Sequence, residues 1–511
     1  MPDSPLVTFR SRFRLRRHAA ERAPRGPLEA FLRAVPGARE SLLFGLALAL
    51  VAGLPAYLAA FPAMTDYPSH LARYEVMLFR DARPFLQQYY NFQWLWVGNL
   101  GIDILMLPLG KLMGVESAGR LVAMALPVLN ALGIVAVEWA LRRRVTVATP
   151  LAAALVWQPA MAFGFLNYML SLAMALFAFA AWVELRERRW RWALMIPVGV
   201  AVYFAHVSGW GVLGIMVFGY EWHRSKTWRA FAAPWPLTFP LLFFILHGGS
   251  GKDLPSYGAA PLLFKQTLWV RAMRDQVEWL DIASISIVGL ALFAALMLRR
   301  LDWRLSWAAL FMMAGSLAMP RHIFGGDYAD YRLIGSGLIA AALAVAWRAP
   351  RWVFYLAPAL FLVRLGVTTE AWVSQSRETA EEVAGLALVP EGARIANVVG
   401  ITRGRWAFNP WEHICGYAVI RKDALSNCNF ALPGVHMISL AGPRPHWNDP
   451  SQRLFVSKDH ILDLTDYGPV RDMDWLWYVG EVPVMLPPGT QVVYATRHSL
   501  IARLAPRKPA D

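Results

Sequence analysis

Long apolar runs recur over the first two thirds of the chain, each closed by a short charged or turn-forming stretch. A membrane-crossing helix needs about 20 mostly apolar residues. Eleven runs are read as spans on that pattern: Ser41–Phe61, Ala118–Leu141, Ala148–Phe165, Leu166–Leu185, Trp192–Ser208, Gly209–Tyr220, Phe231–Leu246, Ile282–Leu298, Leu305–Met319, Leu333–Trp347 and Trp352–Val367. The region Val202–Tyr220 reads either as one long span or as two. Asn99–Gly114 is apolar but short, and it carries Asp103, Pro108 and Lys111. It reads as a helix lying at the outer membrane interface. From Thr368 onward the runs shorten and charged and turn residues return. Ser374–Leu388 has the pattern of an amphipathic helix, and Arg394–Gly400, Asp474–Gly480 and Gln491–Thr496 read as strands.

The pattern predicts an α-helical polytopic membrane protein of about eleven transmembrane helices with a small C-terminal α/β domain. Its expected parts are a basic cytoplasmic tail over 1–40, a transmembrane domain over 41–369 with a long first outer loop over 62–117, and an extracytoplasmic α/β domain over 370–511. Composition agrees. The chain is 57% hydrophobic and only 17% charged, against roughly 25% in soluble domains. The formal net charge of +15 would suggest nucleic acid in a soluble protein. Here the basic residues sit at the ends of apolar runs, in the tail (FRSRFRLRR), at Arg142–Arg144 and at Arg299–Arg304. That placement points to topology and anionic headgroups, with no nucleic-acid partner. The charge bias puts the N-terminus inside, and eleven spans then put the C-terminus outside. The two cysteines, Cys415 and Cys428, both fall in the C-terminal part. Outside the cytoplasm they would form a disulfide, unless they lie too far apart to bridge.

Polar residues near spans are costly and often functional, and most here fall at expected outer ends. In PAMTDYPSHLARYEVMLFR, Asp66, His70 and Arg73 are spaced to share one helix face. An acid and an imidazole there could take a proton from a hydroxyl, and a guanidinium could hold a phosphate. Asn167 and His206 lie at span ends, Arg271 in the fourth outer loop, and Arg321, Asp327, Asp330 and Arg332 in the fifth. Each has a plainer reading. Asp66 could cap the helix that starts at Tyr67 or Pro68. Arg73 could reach lipid headgroups, and His206 could be a hydrogen-bonded structural histidine. Asp327 and Asp330 could hold a divalent ion or pair with Arg321 and Arg332. No metal-ligand spacing is evident among the C-terminal histidines.

The whole arrangement resembles the GT-C class of membrane glycosyltransferases. The resemblance rests on the arginine-rich tail, one span, and a long outer loop with an acid soon after the exit (Thr65-Asp66-Tyr67). It rests further on an interfacial helix ending LMGVESAGRL, with GV-x-x-A-x-RL at Gly114–Leu121, then a span ending at Arg142–Arg144 and a C-terminal external domain. The chain also looks like a large group of bacterial membrane proteins with a DYPxHLAR stretch. The GT-C resemblance implies a multi-pass protein of the bacterial inner membrane. It implies a polyprenyl-phosphate-linked sugar donor, a lipid or glycan acceptor, and contact with membrane lipids. It makes Asp66 the general base or the residue that orients the acceptor, and offers Arg332, Arg321 and Arg271 as candidates for the phosphate contact. A metal-free site is favoured, because no second acid follows Asp66. The rival readings are a lipid or solute transporter or flippase, and a non-catalytic envelope scaffold.

Overall fold

Among the described residues, four helical runs are long and apolar enough to cross a membrane: Val115–Arg142, Leu166–Glu184, Glu278–Met297 and Arg351–Leu388. A fifth joins them if the bent pair Pro27–Arg33 and Ala38–Val51 counts as one span. The computed structural model describes residues 26–247, 254–323, 326–431, 436–442, 452–457 and 459–506. The first 25 residues of the expected basic tail, and part of the glycine-rich fourth loop, lie outside them.

The eleven expected spans are thus not eleven long helices, and proline and glycine account for much of the difference. Ala148–Phe165 divides into Ala148–Ala153 and Pro159–Phe163, with Pro159 opening the second piece. Phe231–Leu246 becomes three short turns among Pro234, Pro236 and Pro240. Proline lacks the N–H that a helix interior needs, so each one favours a break. Val202–Tyr220 belongs to two helices, Arg191–Ala205 and Val207–Ser225, separated at His206 in an extended conformation. Asn99–Gly114 does form a helix, over Gly101–Met113.

The helices meet at two polar ends. At one end Glu138 accepts from Arg142, Thr146 and Thr149, and Arg142 also pairs with Asp302 at 3.4 Å. Glu40 binds Arg351 beside this cluster, at 2.8 Å. The segments near residues 40, 142, 302 and 351 therefore gather together, as the charge pattern requires of one membrane face. The other end carries Asp66, Asn167, Tyr168 and Arg332, and there the C-terminal residues pack.

The C-terminal part holds a six-stranded mixed sheet. Its main path runs Leu425–Ser426, Arg394–Thr402, Trp475–Gly480, Ser499–Arg503, Gln491–Ala495. Arg394–Thr402 pairs in parallel with Leu425–Ser426, with Arg453–Val456 and with Trp475–Gly480. The last two pairings of the path are antiparallel. IANVVGIT is buried along its whole length, as a central parallel strand covered on both faces should be. The three expected strands are present within two residues of their expected ends. The helix Ala359–Ala384 runs without interruption across residue 369, where the change of composition falls. Cys415 and Cys428 are joined in a disulfide, their Cα atoms 6.3 Å apart.

Candidate functional site

Asp66 is fixed by backbone first. Thr65 and Asp66 donate their N–H groups to Ala162 and Phe163 at 3.2 and 2.8 Å, tying the segment to the short helix Pro159–Phe163. Gly164 then turns the chain with φ +85°, a conformation that disfavours a side chain. Asp66 stands at the N-cap of Tyr67–Phe79, but its side chain makes no capping hydrogen bond. The carboxylate faces a cavity of about 820 Å³. His70 and Arg73, one and two turns on, border the same cavity.

The far wall comes from later segments. Asn167 and His206 border the cavity from the helices Leu166–Glu184 and Val207–Ser225. Asp327 and Arg332 border it from the fifth loop and the helix after it. Ile401 to Arg405 leave the carboxyl end of the central strand, and Phe455 lies near the same end of its parallel neighbour. Ligands of open parallel sheets commonly sit off the carboxyl ends of the strands.

The expected site residues separate into three groups. Asp66, His70, Asp327 and Arg332 present polar groups at the cavity. Arg332 lies 4.5 Å from the Phe165 ring centroid, and its buried Nε has no hydrogen-bond partner among the described residues. Burial lowers the His70 imidazole well below its usual range, and the Arg73 charge adds to this. Asp327 is half exposed, 3.3 Å from His322 and 3.7 Å from Arg321.

Arg73, Asn167 and His206 also touch the cavity, but hold the framework. Arg73 pairs with the fully buried Asp103 at 2.9 Å. Asn167 accepts from the Ile102 N–H at 2.6 Å and donates to Asn99 and Asp103. His206 accepts the Ser208 N–H on Nδ1 at 3.0 Å, capping its helix.

Arg271, Arg321 and Asp330 do not border the cavity. Asp330 is buried against Lys265, not against Arg332. Arg321 packs over Phe264 and Tyr328. Arg271 lines a neighbouring pocket of about 300 Å³ and packs over Trp406. Asp327 and Asp330 thus point to different partners. No group of three His, Cys, Asp or Glu side chains is placed to hold a metal ion among the described residues.

The C-terminal contribution had no signal in the sequence. Arg403, Arg405, Glu412, His413, Phe430, His436 and Arg453 all border the cavity. The His413 Nε2 lies 3.6 Å from Asp66. Arg453 pairs with Glu412 at 2.7 Å. Burial, with the charges of Arg73 and His413, lowers the His436 imidazole to about 3. Such scattered single residues have no spacing to read, and only the folded chain assembles them.

No family model and no curated protein sequence matches the chain. A solved structure that does match is the crystal structure of ArnT from Cupriavidus metallidurans bound to undecaprenyl phosphate. The match is 12% identical, covers 90% of this chain and 97% of that one, and has a TM-score of 0.47. Neither the ligand nor the reaction of that protein transfers to this chain on such a likeness.

Proposed function

We propose that the protein is a membrane glycosyltransferase that moves a sugar from a polyprenyl-phosphate donor to an extracytoplasmic lipid or glycan acceptor. One juxtaposition carries the reading. A carboxylate, Asp66, and a half-buried guanidinium, Arg332, come from distant parts of the chain and border one cavity. The resemblance to GT-C enzymes of the long first outer loop, with its acid at Thr65-Asp66-Tyr67 and GV-x-x-A-x-RL at Gly114–Leu121, supports the same conclusion.

Asp66 would accept the proton of the acceptor hydroxyl as its oxygen bonds to the anomeric carbon. The bond from that carbon to the phosphate oxygen breaks, and polyprenyl phosphate leaves with the electron pair. Arg332 would meet the charge that develops on the leaving oxygen, in a setting where burial strengthens the interaction. The aromatic wall of Phe163, Phe165, Tyr328 and Phe408 offers surfaces for sugar or prenyl carbons. Arg73 and Asn167 serve by holding the loop that presents Asp66.

The experiment is transfer from radiolabelled polyprenyl-phosphate pentoses and hexoses in proteoliposomes. Asp66→Asn should lower turnover by about 10²-fold or more, the usual range for losing a general base. Arg332→Ala should cost about 10²–10³-fold. Full turnover by a folded Asp66→Asn protein would remove the assigned base.

A further inference from the structure

His413, whose Nε2 lies 3.6 Å from Asp66 across the cavity, comes from a tightly constrained turn. His413 closes a turn with Gly416, whose N–H donates to the His413 carbonyl at 3.0 Å. Gly416 seats directly on the start of the helix Tyr67–Phe79. A Cβ there would run into the Pro68 carbonyl oxygen, and a backbone atom cannot swing aside as a side-chain end can. Cys415, between them, is bridged to Cys428. The Cys428 carbonyl lies 3.4 Å from the His413 Nδ1 and accepts from the Ser69 hydroxyl at 3.3 Å. Gln452 adds a contact to Nδ1 at 3.4 Å and donates to the Glu412 carbonyl at 3.0 Å. The bridge therefore ties together two strands of chain that both touch the Asp66 segment, and His413 is 2% exposed within them.

We infer that this turn belongs to the reaction centre: the Cys415–Cys428 bridge and the seat of Gly416 on Pro68 hold the His413 imidazole against the Asp66 carboxylate as its positioning partner. The inference rests on the assignment of Asp66 as the base. The Nε2 edge of the ring, 3.6 Å from Oδ1, is the one turned toward the Asp66 carboxylate. That contact at Oδ1 sets the plane in which Asp66 meets the acceptor hydroxyl. Oriented bases of this kind owe their geometry to the group behind them. His413 acts through Asp66 and does not meet the sugar.

Two measurements test this on the full-length protein. The first is a double-mutant cycle in thermal unfolding with Asp66→Asn, His413→Ala and the double variant. Paired residues give non-additive shifts. The Cys415→Ser/Cys428→Ser background should abolish the non-additivity. Substitution is used because both sulfurs are fully buried, out of reach of added reductant. Additive shifts in the native background overturn the pairing, whatever the activity assay gives. The second is turnover. His413→Ala should lower kcat about 10–100-fold with the donor KM unchanged. His413→Gln, which keeps an N–H near the same point, should recover part of the loss. His413→Ala should add nothing to Asp66→Asn. A folded His413→Ala protein with full kcat overturns the positioning role and leaves the glycosyltransferase reading standing. Full turnover by Asp66→Asn sinks that reading instead.

Discussion

Arg73 and Asp103 form an ion pair in which the side chains are 3% and 0% exposed. Removing one member of such a pair leaves a buried charge without compensation, at about 3–5 kcal/mol. Asp103→Ala should therefore lower the unfolding temperature sharply in calorimetry, while Arg73→Met with Asp103→Leu should recover most of the loss. Glu75 gives a pH signature from the same helix. Burial raises its carboxyl to about 7 from 4.5, against the opposing charge of Arg83 at 2.9 Å. Between those values the folded chain holds a proton that the unfolded chain has released. Stability from this group should thus fall as pH rises from about 4.5 to 7, by about 3 kcal/mol at most. Unfolding followed against pH should show this slope, and Glu75→Gln should flatten it. The spacing of Asp66, His70 and Arg73 was legible because one helix carries all three. The role of Arg73 was not, since its partner Asp103 is set by packing between two helices.

Among elements, apolar length located most helical segments, while the breaks within them followed local chemistry. Pro159, Pro234 and Pro236 stand at or beside helix starts, yet apolar length runs straight across them. Close to the boundary expected at Ser208, the chain does break, at His206. Its extended backbone is stabilised by its own side chain on the Ser208 N–H. The helices on either side of the cavity wall also pack unusually closely. A Cβ at Gly209 would meet the side chain and backbone of Ser171, whose hydroxyl already donates to the Val202 and His206 carbonyls at 2.9 Å. Gly209→Ala should force the helices Leu166–Glu184 and Val207–Ser225 apart. The expected cost is about 1–3 kcal/mol, seen as a lower unfolding temperature in detergent. The strands were readable from alternation and turn residues. Their pairing, and with it the direction of the loop Arg403–Asn409, depended on contacts far apart along the chain.

At the scale of the molecule, one end is an ion-pair cluster built from Glu138, Arg142, Asp302 and Arg304, and the other is the cavity. The positive-inside bias predicts that the first end faces the cytoplasm. Single cysteines at Arg188 and Arg403, in a Cys415→Ser/Cys428→Ser background, should then react with a membrane-impermeant maleimide from opposite sides. Labelling of both from the same side would refute the assigned topology. The gathering of basic span ends was legible because charge at a membrane edge follows a simple rule. The cavity was half legible. Its helical wall comes from residues flanking predicted spans, whereas its sheet wall comes from single residues in a region without periodic signal.

That division of the cavity has a consequence for biogenesis. Translation proceeds from the N-terminus, so the helices carrying Asp66 and Arg332 enter the bilayer before residues 401–455 exist. A ribosome-bound intermediate would hold an acid and a guanidinium but no His413, no Glu412 and no roof over them. On the proposed function, chemistry would be licensed only after that last stretch has folded over the cavity and Cys415 has joined Cys428.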